Sequence, residues 1–192
     1  MDKRTRILKE AAKLFAGKGF NETAASEIAQ AADTAQGTVF YHFGTKQGIL
    51  RQIYENMVID YMEQLTIASE IGETGLENIR SIMEFHFRYA EENRAEFTVL
   101  HRDVPSHLDN DGNRCEIVKR NSEKSIGIIA AAIKRGIDDG SVRQDVNAEN
   151  SAKILKAMLI GMTRMSNLHK VDFSSVLGTC IDFCDNALKS RG

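Results

Sequence analysis

The chain has 192 residues, of which 42% are hydrophobic and 27% are charged, and its net charge at pH 7 is −2. This balance is typical of a folded globular protein and excludes an extended disordered chain. Helix-favouring residues are abundant, Pro105 is the only proline, and no run alternates over the length of a strand. The composition therefore predicts an all-α fold.

The sequence has the features of a protein of the reducing cytoplasm. Its longest apolar stretches, such as residues 126–133, are much shorter than the roughly 20 residues that span a bilayer, so we expect no membrane association. Its three cysteines fit neither a zinc finger nor a disulfide scaffold. Cys180 and Cys184 stand four apart on a predicted helix, which suits two buried thiols or, alternatively, a metal or redox pair.

Charge is distributed unevenly along the chain. Residues 1–51 contain eight Lys/Arg against five Asp/Glu, a net charge of +3, whereas residues 52–192 contain seventeen against twenty-two, a net charge of −5. A basic N-terminal segment ahead of an acidic remainder is typical of a phosphate-binding module joined to a partner domain, although solvated helix faces produce the same balance.

The first predicted helix covers residues 3–16. Its apolar residues recur at spacings of three and four, which gives one buried face opposite a basic one, and two glycines follow. The Thr23 hydroxyl is then placed to cap the free amides of a second helix, about two turns long, over residues 24–31.

A tight turn at residues 32–34 leads to a third helix over residues 35–43, in which Val39 and Phe43 form the buried side. Asp33 suits a left-handed conformation in this turn, and Thr34 can cap the helix that follows. Two short helices joined by a tight turn behind a longer support helix predict a helix-turn-helix.

A long helix then begins at Lys46, with Thr45 as its cap, and connects two predicted domains. The first domain, residues 1–50, is the helix-turn-helix; the second, residues 51–192, is a larger helical domain. Glycine-rich and proline-containing breaks separate its predicted helices, which cover residues 76–92, 96–103, 116–139, 148–168 and 173–189.

The outward side of the third helix suits the major groove of DNA. Gln36 can pair with an adenine edge, Thr38 offers a hydroxyl and a methyl group, and Tyr41 brings a hydroxyl on a rigid ring. Gly37 lowers helix propensity, which favours a close approach by another backbone. Lys46 adds its charge to a helix N-terminus that already favours phosphate.

The segments Glu27-Ile28-Ala29, Gly37 to Phe43 and Lys46 to Leu50 together resemble the DNA-binding domain of the tetracycline-repressor (TetR) family. The resemblance covers about residues 4 to 50. It implies a recognition helix over residues 35–42 and phosphate contacts through Thr38, Tyr41 and Lys46. Asp33-Thr34 and Phe40 depart from the usual pattern, and Ser26 replaces a common basic residue. The expected DNA-contacting set is Thr23, Ser26, Ala35, Gln36, Gly37, Thr38, Tyr41, His42 and Lys46. For the aromatic run, including His42, packing in a buried cluster is the alternative.

The last two predicted helices carry apolar stripes that suit a four-helix dimer interface, and the resemblance implies such a homodimer on palindromic DNA. Intramolecular core is the alternative for either stripe. The expected interface residues are Leu155, Leu159, Met162, Leu177, Ile181 and Cys184.

The middle helices supply Met and aromatic side chains that suit a pocket for a small molecule, and core packing is the alternative for each of them. His101 and Arg102 offer polar groups to orient a ligand. The expected ligand-binding set is Tyr61, Met62, Phe85, His86, Tyr89, His101, Arg102, Met158 and Met162.

These features predict a ligand-responsive transcriptional regulator, a repressor released from operator DNA by a small lipophilic effector. An architectural or constitutive DNA-binding protein without a sensor pocket is the alternative. We expect no catalytic residues, since no nucleophile elbow or phosphate loop is present, and no cofactor. We also expect no metal site, because the spacing of His101, Asp103, His107 and Asp109 fits no compact coordination sphere.

Overall fold

The computed structural model describes residues 2–107, 114–169 and 176–190. The predicted all-α fold is confirmed: within these ranges the only extended pairing is an isolated bridge between Val142 and Lys189. The ten helices of the described residues are α1 (Lys3–Lys18), α2 (Ala25–Ala31), α3 (Gln36–Phe43), α4 (Lys46–Ala68), α5 (Gly75–Glu92), α6 (Arg94–Arg102), α7 (Val104–His107), α8 (Arg114–Asp139), α9 (Ala148–His169) and α10 (Leu177–Leu188).

Most predicted helices agree with the observed ones to within a few residues. The sequence did not predict α7, a single turn that begins directly after the break at Asp103. Pro105 lies in the first turn of α7, where a missing amide hydrogen removes no intrahelical bond. The predicted start of the last helix at residue 173 falls outside the described residues, and α10 is described from Leu177.

The chain divides into two compact units. The first contains residues 1–59 and 93–117, and the second contains residues 60–92 and 118–192. This division differs from the expected boundary at residue 50, because α6 packs against α1 in the first unit. The core of this unit comes from α1 to α4 together with α6 and α7, and it includes the buried residues Phe15, Ile28, Val39 and Leu50.

The turn between α2 and α3 closes by a pair of backbone hydrogen bonds that make a Schellman motif. The Thr34 amide donates to the Ala29 carbonyl (3.0 Å) and the Asp33 amide donates to the Gln30 carbonyl (3.1 Å). Asp33 has φ = +47°, which confirms the expected left-handed conformation. The Arg6 guanidinium donates to the Asp33 carbonyl at 3.0 Å and ties the turn to α1.

In the second unit, the start of α5 lies against the end of α8. A Cβ atom on Gly75 would lie 2.0 Å from the Gly136 amide nitrogen, so glycine is required for this approach. The free amides of Gly75 and Leu76 donate to the Asp139 carboxylate (2.7 Å) and the Ser141 hydroxyl (3.1 Å). Side chains distant in sequence therefore cap the N-terminus of α5.

The C-terminal helix is fixed to the second unit by an ion pair and by backbone bonds. The Arg80 guanidinium of α5 donates to both carboxylate oxygens of Asp185 in α10. Beyond the helix end, the Ser190 amide donates to the Ser141 carbonyl at 3.1 Å. None of the helices in the described part of the chain combines the length and the apolar character that a membrane span requires.

Candidate functional site

Helix α3 presents most of its side chains to solvent. Val39 is its buried residue and Phe43 is half-buried, whereas the Tyr41 side chain is 85% exposed. Among the predicted DNA-contacting residues, Thr38 is half-buried and the exposed ones are Ala35, Gln36, Gly37, Tyr41 and His42. The aromatic run is therefore not a buried cluster.

Two glycines in this region have opposite surroundings. A Cβ atom on Gly37 would meet open space, so nothing inside the subunit requires glycine in the middle of α3. A Cβ atom on Gly48 would lie 2.0 Å from the Phe43 carbonyl oxygen, so glycine is required where α4 starts beside the end of α3. The Thr45 hydroxyl accepts a hydrogen bond from the Gly48 amide at 3.0 Å. Thr45 therefore caps α4, as the sequence predicts.

Thr23 and Ser26 take different positions around α2. The expected capping role of Thr23 is wrong: Thr23 is buried and its hydroxyl donates to the Gly19 carbonyl at 2.8 Å, while Ala24 occupies the N-cap position. The Glu27 carboxylate instead accepts from the Ala24 amide at 2.7 Å. Ser26 is exposed on α2.

The Lys46 ammonium is directed to the protein interior of this unit. It donates to the backbone carbonyls of Phe20 (2.8 Å), Thr23 (2.9 Å) and Asn21 (3.3 Å), which form the turn between α1 and α2. It also lies 4.5 Å from the centroid of the Phe20 ring. The geometry gives Lys46 a structural role that the sequence did not predict, because the acceptors lie more than twenty residues away.

Phe40 and Arg4 were not in the predicted set. Phe40 is exposed on α3 beside Tyr41. Its position on the outward side of the predicted helix could have placed it among the DNA-contacting residues. The Arg4 guanidinium lies 5.6 Å from the centroid of the Phe43 ring and donates to the Gln52 side chain at 2.6 Å. Helical periodicity alone could not have placed Arg4 beside Phe43.

The second unit contains an aromatic cluster that brings together Tyr61, Phe85, His86 and Tyr89. The Tyr61 ring centroid lies 5.2 Å from that of Phe85 and 5.4 Å from that of Tyr89. The Tyr61 hydroxyl is 2.8 Å from Nδ1 of the buried His86, and burial raises the pKa of Tyr61. Tyr89 donates its hydroxyl proton to the Asp60 carboxylate at 2.6 Å.

The other predicted ligand-binding residues are distributed more widely. Met62 is buried in the second unit, and the sulfurs of Met158 and Met162 both contact the Cys180 thiol. His101 and Arg102 belong to the first unit. There the Arg102 guanidinium donates to the carbonyls of Phe15 and Ala16 in the last turn of α1, where a cation complements the helix dipole.

Half of the predicted dimer stripe lies inside the subunit. Leu155, Leu159 and Cys184 are buried within the second unit itself, and Met162, Leu177 and Ile181 are half-buried. The exposed large apolar side chains of α9 and α10 lie elsewhere on these helices: Ile154 is 69% exposed, Phe183 is 68% exposed, and Met165 is also exposed. The predicted stripe therefore includes residues that pack into the core of the subunit itself.

No group of three or more His, Cys, Asp or Glu side chains gathers at metal-binding distance among the residues that the structure describes. Of the four residues considered for such a site from sequence, Asp109 lies outside the described residues. Asp103 forms an ion pair with Arg102 at 3.1 Å, and the His107 ring stacks 4.6 Å from the centroid of Phe20.

Helix α3 is short and exposed, and it follows two supporting helices, α1 and α2, after a turn that contains a left-handed residue. This arrangement defines a helix-turn-helix protein. Residues 7–53 match the family model described as "Bacterial regulatory proteins, tetR family". The chain therefore carries a tetR-family DNA-binding domain, and it is a DNA-binding transcriptional regulator.

Similarity to individual proteins extends beyond the helix-turn-helix. The crystal structure of the TetR family transcriptional regulator PfmR from Thermus thermophilus matches with a TM-score of 0.79 and 27% identity, covering 100% of this chain and 98% of that one. The HTH-type transcriptional repressor KstR2 of Rhodococcus jostii is 24% identical over 80% of this chain and 74% of its own length. The transcriptional regulator FadR from Bacillus subtilis, solved in complex with stearoyl-CoA, has a TM-score of 0.75 at 16% identity, covering 93% of this chain and 96% of that one.

Proposed function

We propose that this protein is a homodimeric repressor that leaves its operator when a small lipophilic molecule binds the second unit. The observation that carries the DNA-binding part is the exposure of α3: one side chain is buried and the opposite side, centred on Tyr41, is free for contact. A recognition helix needs this combination, because the buried side holds its position while the exposed side enters the major groove.

The exposed side chains of α3 have the chemistry for both kinds of DNA contact. Gln36 at the first turn can form two hydrogen bonds with an adenine edge, and Tyr41 and Thr38 can donate hydroxyl protons to phosphates. His42 extends this surface as a donor to phosphate. The open space at Gly37 supports a close approach by the DNA backbone, since no contact within the unit explains a glycine there.

Lys46 acts in this proposal mainly by holding the helix-turn-helix together. Its three carbonyl acceptors belong to the turn that precedes α2, so the ammonium fixes the start of α2 relative to α4. The buried Thr23 contributes to the same turn through its bond to the Gly19 carbonyl. Ser26, exposed on α2, remains a proposed phosphate contact.

The effector part rests on the aromatic cluster of Tyr61, Phe85, His86 and Tyr89. Aromatic rings suit the apolar body of a ligand, and the Tyr61–His86 pair supplies a polar group to orient it. Two similar proteins support a lipophilic effector by their descriptions: KstR2 of Mycobacterium tuberculosis is a ketosteroid transcriptional regulator, and the B. subtilis FadR structure contains stearoyl-CoA.

Helix α4 offers a path for coupling, since residues 46–59 belong to the first unit and residues 60–68 to the second. Lys46 stands at one end of this helix, and Tyr61 lies in the aromatic cluster. A coupling of about 1 to 3 kcal/mol would lower operator affinity about 5- to 150-fold.

For the homodimer we propose the exposed side of α9 and α10, with Ile154, Met165 and Phe183 as its apolar residues. A two-fold dimer presents two α3 helices to successive major grooves, about 34 to 36 Å apart. In light scattering, wild type should be a dimer at micromolar concentration. An Ile154→Glu/Phe183→Glu variant should be a folded monomer, because both side chains are exposed in the subunit, and a wild-type monomer would contradict the proposal.

DNA binding is tested by selecting duplexes from a random library and measuring affinity for the enriched site at fixed salt. Tyr41→Ala should weaken binding by about 1 to 3 kcal/mol, and Tyr41→Phe separates the hydroxyl from the ring. Ile67→Ala, an exposed apolar residue of α4 in the second unit, is the matched control. Equal affinity for wild type and Tyr41→Ala would falsify the recognition-helix assignment.

Effector binding is tested by calorimetry with stearoyl-CoA, stearic acid and a 3-ketosteroid, using free coenzyme A as the control. A lipophilic probe that binds should bind less tightly by the same factor when operator DNA is present, because coupling is reciprocal. Binding of none of the three, together with unchanged operator affinity in their presence, would favour the architectural or constitutive alternative.

A further inference from the structure

Four sulfur atoms gather between α9 and α10 in the second unit. The Cys180 thiol sulfur lies 3.8 Å from the Met158 sulfur and 3.7 Å from the Met162 sulfur. Cys184 is one helical turn from Cys180 and shares a side-chain hydrogen bond with it. The arrangement pairs two methionines spaced by four on α9 with two cysteines spaced by four on α10. We refer to these four residues as the sulfur cluster.

The spacing of the sulfur atoms suits coordination of one ion. A metal about 2.3 Å from each sulfur ligand holds tetrahedral ligands about 3.8 Å apart, and trigonal ligands about 4.0 Å apart. The two sulfur–sulfur distances at Cys180 agree with these values. Cys180 and Cys184 are buried and both methionines are half-buried, so the four sulfurs are largely removed from competing water.

The donor types select the ion. Thiolate and thioether sulfurs are soft ligands, which favour Cu(I), whereas Mg²⁺, Ca²⁺ and Mn²⁺ prefer oxygen. Zn²⁺ sites use cysteine, histidine and carboxylate ligands, and two of the four sulfurs here are thioethers. We propose that the sulfur cluster is a binding site for a soft monovalent cation of the Cu(I) type, with Cys180 as its thiolate ligand, Met158 and Met162 as its thioether ligands, and the Cys184 thiol donating a hydrogen bond to the Cys180 sulfur.

Charge balance supports a monovalent ion. Binding replaces the Cys180 thiol proton: the S–H bond breaks, the proton goes to solvent, a sulfur–metal bond forms, and nothing is oxidised or reduced. One thiolate and one monovalent cation leave the buried site neutral, whereas a divalent ion with one thiolate would leave a net charge that is costly to bury.

Occupancy would join α9 and α10 by metal–sulfur bonds in addition to packing. Because the exposed sides of these helices carry the proposed dimer contact, the ion would act on the same helix pair. This site needs neither DNA nor a lipophilic effector, so it goes beyond the proposed function and can be tested without it.

The experiment titrates the full-length reduced protein with Cu(I) under anaerobic conditions, with the chelator bicinchoninate as competitor, and repeats it with Ag(I). We expect one ion per chain and a sulfur-to-copper charge-transfer band in the ultraviolet. Cys180→Ser should abolish both. Met158→Leu/Met162→Leu nearly conserves side-chain volume, and should weaken Cu(I) binding at least as much as the 10- to 100-fold that loss of a supporting residue typically costs.

Cys115→Ser is the matched control, since it removes a thiol that is not in the sulfur cluster, and it should leave stoichiometry and affinity unchanged. Circular dichroism confirms that each variant is folded. Retention of one tightly bound ion in Cys180→Ser, loss of binding in Cys115→Ser, or wild-type affinity in the methionine double variant would each overturn the proposal. An absence of competitive Cu(I) binding by wild type would mean that the four sulfurs only pack together.

Discussion

The Lys46 ammonium offers a direct test of whether a residue at the helix-turn-helix acts on DNA or on the protein. Lys46→Met keeps most of the side chain's apolar length and removes the charge and all three hydrogen-bond donors. The carbonyls of Phe20, Asn21 and Thr23 then lose the group that draws them together. We expect the first unit to lose stability in the absence of DNA.

The size of the loss follows from the contacts. A hydrogen bond to a charged group contributes about 1.5 to 3 kcal/mol where it is buried, and the cation over the Phe20 ring adds about 0.5 to 1 kcal/mol. Lys46 is half-buried, so water replaces part of what is lost at the three carbonyls. We expect a net destabilisation of about 2 to 3 kcal/mol, which in a chain of this size lowers Tm by about 5 to 10 °C.

The assay is thermal unfolding of the free protein, followed by operator titrations at several salt concentrations. Lys9→Met, an exposed lysine of α1, is the control and should leave Tm nearly unchanged. If Lys46 acts only on a phosphate, Lys46→Met will keep the wild-type Tm and reduce the salt slope of binding by about 1. That result would refute the structural role derived from its three acceptors.

Three further predictions concern local geometry. Asp33→Gly should raise Tm, because glycine adopts φ = +47° without the steric cost of an L side chain. A lower Tm would show that the Asp33 side chain stabilises the folded protein by more than its left-handed backbone conformation costs. Arg80→Met should lower the free energy of unfolding measured in urea by about 1 to 2 kcal/mol. The reason is that the Asp185 carboxylate, which is less exposed than Arg80, loses its bidentate partner. An unchanged urea midpoint would show that this ion pair is energetically neutral. Burial lowers the pKa of Lys156 to about 8, below its ordinary value of 10.5. The unfolded chain therefore binds more protons between these values, and the free energy of unfolding should rise from pH 8 to about 10.5; Lys156→Met should flatten that rise, and an identical pH profile in the variant would contradict the assignment.

Local sequence patterns determined the helices and the turn that joins α2 to α3. The spacing of apolar residues gave the helix-turn-helix and the buried position of Val39, because a helix with one apolar side must turn that side to the core. Asp33 in a left-handed turn was also predictable, since the short side chain of Asp tolerates that conformation and the segment is too short for another connection. These are properties of a few neighbouring residues, and no distant partner is needed to fix them.

Side-chain partners distant in sequence were decided only by the tertiary structure. Arg102 resembled a ligand-binding residue, but its guanidinium meets the α1 carbonyls, whose position depends on how α6 packs. Lys46 resembled a phosphate contact, yet the turn between α1 and α2 supplies its acceptors. A cation binds whichever acceptors the fold brings within reach, and the sequence pattern around a lysine or an arginine does not contain them.

The sequence pattern also lacks the neighbours that cover each side of a helix, and this explains why the predicted dimer stripe was partly internal. Helix α9 carries apolar residues on more than one side, and periodicity identifies each apolar side without showing what packs against it. The structure covers Leu155 and Leu159 with the subunit's own core and leaves Ile154 exposed. Sequence by itself therefore determined that α9 is an amphipathic helix of an all-α regulator. Tertiary packing decided which of its sides is internal, because burial depends on the neighbouring helices and their register.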